Sequence, residues 1–553
     1  MNLANLGLSG ITAAQARLQT AGHNINNSAT EGYNRQSVLV STAGATPTGA
    51  GFIGRGVQTD SVQRAYNNFL YRQLVSAQTT GAAIASYGNE IVQVNNLFAD
   101  RTVGISPALQ KFFDGVQAVA SSPADPAARQ ELLGRASSLV AQLNDANAFL
   151  SSQRENINTQ VSTLVTQINS HVERIRDLNH QIVVAKAASS NQPPNDLLDQ
   201  RDQLVSDLSN LVGVRVFEQD GNVNLTIGNG QVLLGGDTAF PLQAVPSADD
   251  PSRTVVAYTA PVGNGTTTLV EMRDSGITGG TLGGLLKYRN ESLDTIQNDV
   301  GRLAVGLAMA VNDVQRAGYD QNGNPGVDFF TLGSPRVLTG AQNAGGAEFS
   351  ATIDDANKLT TQDYRVEFDG ANYIVTTSPN GTEMFRGSAA DLAAAPIDGV
   401  RFNVDVSGGA PQAGDRWQIQ PTRNQAGGIK LNLTNPASVA AAASSVGDTD
   451  GGNALAMAKL QSAKVLGNGT MGLNEAFSQI VNKVGVLTQQ NGTAAKAQAT
   501  LIQQNYAAQQ AVSGVNLNEE YVNLDRFQEQ FRAASRLIDV SSTLFDTLLG
   551  LRA

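Results

Sequence analysis

Several stretches carry residue types and spacings that could do chemistry. "DQNGNPGVD" places Asp320, Asn322 and Asn324 at the alternating positions that open a calcium loop. Pro325 stands where such a loop needs glycine, and Thr331 where it needs a bidentate glutamate, so a turn of self-bonding side chains is the better reading. "NDLLDQRDQL" repeats Asp196, Asp199 and Asp202 every third residue, the pattern of a carboxylate pair. With Arg201 beside them on an amphipathic helix, a solvated face with local ion pairing is expected instead. The three histidines (His23, His171 and His180) form no metal set; His171 and His180 face opposite sides of a helix. "GFIGRGVQTD" lacks the third glycine and helix start of a dinucleotide site. No nucleophile elbow, zinc-protease motif or phosphate loop occurs. The residues therefore offer no catalytic, cofactor or metal site, and point away from an enzyme.

With 553 residues the chain can hold several cores, about three or four domains by length. Hydrophobic residues make up 41%, enough to fold, but aromatics only 5%. That mixture suits Ala-rich helices and turn-rich sheets. The absence of cysteine rules out disulfide, thiol and iron–sulfur chemistry. A net charge of −11 argues against nucleic acid and anionic membranes as partners. No run of 18 apolar residues could span a bilayer. "MNLANLGLSGITAAQARLQ" lacks the basic and apolar regions of a cleavable secretory signal.

Hydrophobic periodicity supplies the elements. Ile11, Ala14, Leu18, Ala21 and Ile25 lie on one face of an N-terminal helix. The Asn-rich loop "GHNINNSATEGYNRQ" follows, then a short strand near "SVLVS". Apolar steps of three and four residues run from Ala128 to Ala187, a helix of roughly 90 Å. "SSNQPPND" ends it, and a second helix carries Leu197, Leu204, Leu208 and Leu211. From Val214 the period becomes two, with a turn predicted at Asp220-Gly221. Helix returns over about 285–316, and β structure over about 328–422, including hairpins in "YRVEFDGANYIV" and "YIVTTSPNGTEMF". The chain ends in a helix whose Leu517, Leu524, Phe531, Ile538 and Phe545 recur every seven residues. Phe527, Ala534 and Leu548 lie three positions after three of these.

The expected fold is α+β and multidomain: a long, coiled-coil-like helical bundle built from both termini and the middle, with inserted β-rich outer domains. The expected divisions are 1–60 with 510–553 as a terminal helical domain, and 61–212 with 284–317 and 440–509 as a helical bundle. Residues 213–283 with 318–439 form the β-rich part. The terminal seam gains on the order of 7–15 kcal/mol when buried, against about 1–2 kcal/mol per ordered residue. Such a helix frays alone and holds against partners. The two ends are thus expected to pair and, further, to pack against other copies of the chain.

"GLSGITAAQARLQTAGHNINNSATEGYNRQ" resembles the N-terminal signature of bacterial flagellar rod, hook and hook-associated axial proteins, matched at Asn24, Asn27, Thr30, Gly32, Tyr33, Arg35 and Gln36. "SGVNLNEEYVNLDRFQEQFRAASRLIDVSSTLFDTLLGL" is similar to the C-terminal partner signature. "PNDLLDQRDQLVSDLSNLVGVRVFEQDGNVNL", "LAMAVNDVQRAGYDQNGNPGVDFF" and "GDRWQIQPTRNQAGGI" narrow the resemblance to its hook–filament junction members. The resemblance implies a structural subunit that self-associates in a ring or tube outside the cell, between hook protein and a second hook-associated junction protein. It also implies export by the flagellar type III apparatus without a cleaved signal, and an export chaperone on the C-terminal helix. Candidate subunit-packing residues are Ile11, Leu18, Ile25, Leu517, Leu524, Phe527, Phe531, Ile538 and Phe545. In the loop, the asparagines are expected to satisfy the helix end, Gly32 to take positive φ, and Tyr33 to anchor the exit with its hydroxyl bonded. Another axial protein, or a secreted adhesin or enzyme with coiled-coil ends, is the alternative.

Overall fold

The computed structural model describes residues 3–99, 104–189, 192–219, 221–228, 230–263, 266–445 and 449–551. Its helices are α1 (Leu3–Asn26), α2 (Asn68–Ala99), α3 (Ile105–Ser121), α4 (Pro126–Ala188), α5 (Asn195–Leu211), α6 (Gly280–Tyr288) and α7 (Asp294–Ala317). Short α8 (Ala389–Ala394), α9 (Gln425–Gly428) and α10 (Gly452–Lys459) precede α11 (Leu473–Ser513) and α12 (Leu517–Gly550).

The spine is α4, 63 residues long. Asp125 caps it by accepting from the Ala127 amide at 2.9 Å, and Pro126 occupies the first turn, where its missing N–H costs nothing. Its buried face is the predicted one, from Leu132, Leu139 and Leu143 through Ile157, Val161, Ile168 and Ile175 to Ile182. The predicted break follows Ala188; Ser190 and Asn191 of it lie outside the described residues. Beside the spine, α2 and α11 pair antiparallel: Gln498 donates to the Ala77 carbonyl at 2.8 Å, and Asn505 to that of Gln73. An aromatic cluster, Phe112, Phe113, Phe329 and Phe330, closes the core where α3 meets the chain after α7.

The described β pairs are antiparallel, with hairpins where the period-two runs predicted them. Val214–Gln219 pairs with Asn222–Ile227; Asp220 of the predicted turn lies outside the described residues. Asp363–Phe368, Tyr373–Ser378 and Glu383–Gly387 form two consecutive hairpins within a five-stranded sheet. A separate core gathers under that sheet around Tyr364, Phe349, Phe402 and Trp417.

Two stretches differ from expectation. The single strand predicted near "SVLVS" is one of four: β1 (Gln36–Thr42), β2 (Ala45–Thr48), β3 (Gly51–Gly54) and β4 (Val57–Arg64), with β1 paired to β4 and β2 to β3. β2 and β3 are fully exposed and show no buried alternation to read. The helix predicted at 285–316 starts at Gly280 and contains a π turn, Arg289–Leu293. The wider turn sits where Arg289 is directed inward, fully buried.

Arg289 belongs to a buried network joining α4, α7 and the β regions. Asp294 accepts from Arg154 at 2.6 Å and Arg253 at 2.9 Å, while Asp274 accepts from Arg253 at 2.7 Å and Arg289 at 2.8 Å. Arg423 donates to Asp363 of the five-stranded sheet and to Asn298 of α7. Burial alone would raise the Asp294 carboxyl, but Arg423, Arg154 and Arg253 outweigh it and hold the group far below the usual carboxylate range. A depressed carboxyl stabilises the fold above its unfolded value, about 3.9, and that stabilisation is lost as pH falls below it. Asp294→Asn is expected to cost about 3–5 kcal/mol at neutral pH, since it leaves arginines buried and uncompensated. Urea titrations of both proteins check this, and the gap between them should narrow as pH falls below about 4.

Candidate functional site

The first and last helices lie antiparallel, and small residues set their distance. A Cβ on Gly7 would lie 2.6 Å from Cγ1 of Ile538, and one on Gly10 3.0 Å from Cβ of Ala534. With Ala13, Ala14 and Ala21 buried, the backbones approach closely. Farther along, Arg17 donates to Gln530 at 3.0 Å and lies over the Phe527 ring at 5.5 Å. At the end of α1, Asn24 donates to Glu520 at 3.2 Å.

Of the predicted packing residues, Ile11, Leu18, Ile25, Leu524, Phe527, Phe531 and Ile538 are half-buried, whereas Leu517 and Phe545 are exposed. These registers place the start of α1 near Ser541, so α12 runs past its partner by about 15 Å. Along that overhang Leu544, Phe545, Leu548, Leu549 and Leu551 all face solvent, Leu548 with 65% of its surface exposed. Contiguous exposed apolar stripes are uncommon on proteins that stay monomeric.

The loop between α1 and β1 ties this pair to the rest of the molecule. The buried Asn24 side chain acts like a short strand: its amide donates to the Gln36 carbonyl and its oxygen accepts from the Gln36 amide, both at 2.9 Å. The same oxygen accepts from the Tyr33 hydroxyl at 2.7 Å. Burial, then Asp196, Asp199 and Glu520, push the Tyr33 hydroxyl well up in pKa, so it stays a donor. Asn27 donates to the His23 carbonyl at 3.0 Å, satisfying the helix end, and accepts from Thr30. Gly32 has φ +79°, and a Cβ there would meet Gln203, so both conformation and space select glycine. Arg35 donates to Glu520 at 2.7 Å and Glu519 at 3.1 Å, and its amide to Ser513 at 2.8 Å. Gln36 reaches Asp196 at 2.7 Å.

The carboxylates of α5 correct the sequence reading. Asp199 is 5% exposed, not part of a solvated face. The loop folds back over the start of α5, so Asp199 accepts from the Asn34 amide and side chain at 2.9 and 2.6 Å, and Arg64 bridges Asp199 and Asp202 at 2.7 Å each. Arg201 turns away, buried, toward Asn179. Spacing alone could not reveal this, because the partners come from residues more than a hundred positions away. Asp320 instead binds its own loop, accepting from the Asn322 and Asn324 amides at 2.8 Å. Among the described residues, no helix is long and apolar enough to cross a membrane, and no group of three or more His, Asp or Glu side chains could hold a metal ion.

Residues 91–330 match the family model "Flagellar hook-associated protein FlgK helical domain", and residues 338–421 the "Flagellar hook-associated protein 1, D2-like domain". Flagellar hook-associated protein 1 of Salmonella typhimurium is 38% identical over the whole of both chains, and that of Escherichia coli 36%. The solved flagellar hook junction protein FlgK from Burkholderia pseudomallei is 30% identical and superposes with a TM-score of 0.73, covering 80% of this chain and all of that one. These matches, which take in the α4 spine and the sheet region after it, define a flagellar hook-associated subunit. The chain belongs to the flagellar hook-associated protein 1 family.

Asn24→Ala removes four hydrogen bonds at the crossing point. It should raise the rate of trypsin cleavage at Arg35 in the folded protein about tenfold, the equivalent of ~1.4 kcal/mol. Tyr33→Phe, which removes one, should have a smaller effect.

Proposed function

We propose that this chain is a structural adaptor of the bacterial flagellum that joins hook to filament by packing copies of itself through the paired terminal helices. The observation that carries the reading is the apolar overhang of α12, left open beyond the end of α1 in a member of this family. Leu517, Leu524, Phe527, Phe531, Ile538 and Phe545, with Ile11, Leu18 and Ile25 opposite, supply the packing surface. In that reading residues 1–60 with 510–553 form the inner layer. Residues 61–212 with 284–317 and 440–509 form the next, and 213–283 with 318–439 face outward. Hook protein and a second hook-associated junction protein are the axial neighbours.

The same overhang explains why a chaperone would be needed. A stripe that self-associates in the tube would aggregate before export, so a chaperone covers α12 until the chain passes, without a cleaved signal, through the flagellar type III apparatus to the cell exterior. No nucleic acid, membrane or cofactor enters this function, and none of its steps is catalytic.

Phe545→Asp tests the reading, because Phe545 makes no demand on the folded monomer. Burying a phenylalanine contributes roughly 1.5–3 kcal/mol per contact, so a charge there should reduce assembly by tenfold or more. Cells carrying it should keep hooks and lose filaments by electron microscopy, while the purified protein unfolds as the parent does. Normal filaments in that variant would refute the proposal. Phe531→Asp, within the pair, should act in the same direction.

A further inference from the structure

The β2–β3 hairpin is a second exposed apolar feature near this end. Thr46 pairs with Ile53 and Pro47 with Phe52, yet all eight strand residues are exposed. Phe52 shows 80% of its surface to solvent and Ile53 54%. An isolated two-stranded hairpin is marginal in water, and a phenylalanine at its tip costs solvation without burial. The hairpin is rooted on α1: Ala43 and Arg55 close its base with the Gly56 and Gly44 carbonyls at 2.9 and 2.8 Å, and the Val57 amide reaches Ser9 Oγ at 3.4 Å. Ser9 lies on the stretch of α1 opposite Ala534–Ile538, just before α12 begins its overhang.

One molecule thus carries two open apolar surfaces at the same end. On α12, Leu537, Val540, Leu544, Leu548 and Leu551 step by three and four residues along one face, all exposed. Neither surface carries much charge to desolvate: residues 43–54 hold no ionisable side chain, and residues 540–550 only Asp546. The hairpin does not close on its own α12, since both stay exposed within the chain.

Resting on the subunit-packing reading, we propose that the β2–β3 hairpin of one copy seats Phe52 and Ile53 on the α12 overhang of a second copy. Between copies stacked in one orientation, a knob on one face and its receiving stripe on another make a heterologous contact, which repeats from copy to copy. The hairpin then gains the cover it lacks, and the last turns of α12 gain a partner beyond the end of α1.

The lack of cysteine makes the test direct. Phe52→Cys and Leu548→Cys are introduced singly and together, and isolated flagella are oxidised and run without reductant. The double variant is expected to give a ladder of dimers and higher multimers, and each single variant only monomer. Monomer alone from double-variant flagella that carry filaments would overturn the inference while leaving the role of α12 intact. Dimers from Phe52→Cys alone would overturn it by showing two hairpins face to face. Should the double variant not assemble, a benzophenone amino acid at position 52 keeps an aromatic ring there. Irradiation should then give an adduct of twice 57.8 kDa; an adduct of another mass, or none from assembled flagella, would contradict the proposal.

Discussion

Two helices almost five hundred residues apart in sequence must find each other before either can bury its apolar face. α1 offers mostly Gly and Ala toward α12; a Cβ at Gly7 would collide with Ile538, and one at Gly10 would press on Ala534. Close backbone approach replaces side-chain bulk as the source of contact, and dispersion over a tight interface takes the place of large buried area. The arrangement leaves the larger residues of α12 only half covered. The pair is complete as a helix hairpin and incomplete as a core.

The polar crossing beside it converts that pair into a positioned part. Asn24 holds the returning strand through Gln36, and Arg35 reaches across to Glu519 and Glu520 at the start of α12. Asn34 and Arg64 fasten the same loop to Asp199 and Asp202 of α5. Each carboxylate is therefore held by a donor from a distant segment, and loss of Arg64 would leave Asp202 largely buried without its cation. The Arg154–Asp294–Arg423–Asp363 chain does the equivalent work midway along α4, fixing the five-stranded sheet to α4 and α7. Domains joined only by single linkers would swivel, and these junctions hold them in place.

Legibility in the sequence followed periodicity. α4 was readable because three-and-four spacing, interrupted only where Gln153 and Arg154 take the seam, agrees with a Pro-Pro stop, and packing then follows the stripe; its Asp125-Pro126 start lies two residues before the expected one. The hairpins at 363–387 were readable from Asp-Gly and Asn-Gly turns between alternating runs. The seven-residue seam of α12 marked a helix, and the motif residues Asn24, Gly32, Tyr33 and Arg35 meet in one place. The role of Asp199 was not readable, because a carboxylate bound by Asn34 and Arg64 looks like any surface carboxylate until the loop folds over it. Nor was the β2–β3 hairpin, whose Gly, Thr and Pro residues form no buried face. The inward turn of Arg289 depends on a π turn that has no periodic signature.

The central claim is that the chain ends become fully rigid through assembly. Amide hydrogen exchange, measured residue by residue in the free chain and in isolated flagella, tests it most directly. The account predicts that amides of α12 exchange far faster than those of α4 in the free chain, and are slowed by orders of magnitude on incorporation while α4 barely changes. Protection of α12 in the free chain equal to that of α4, unchanged in the flagellum, would contradict it.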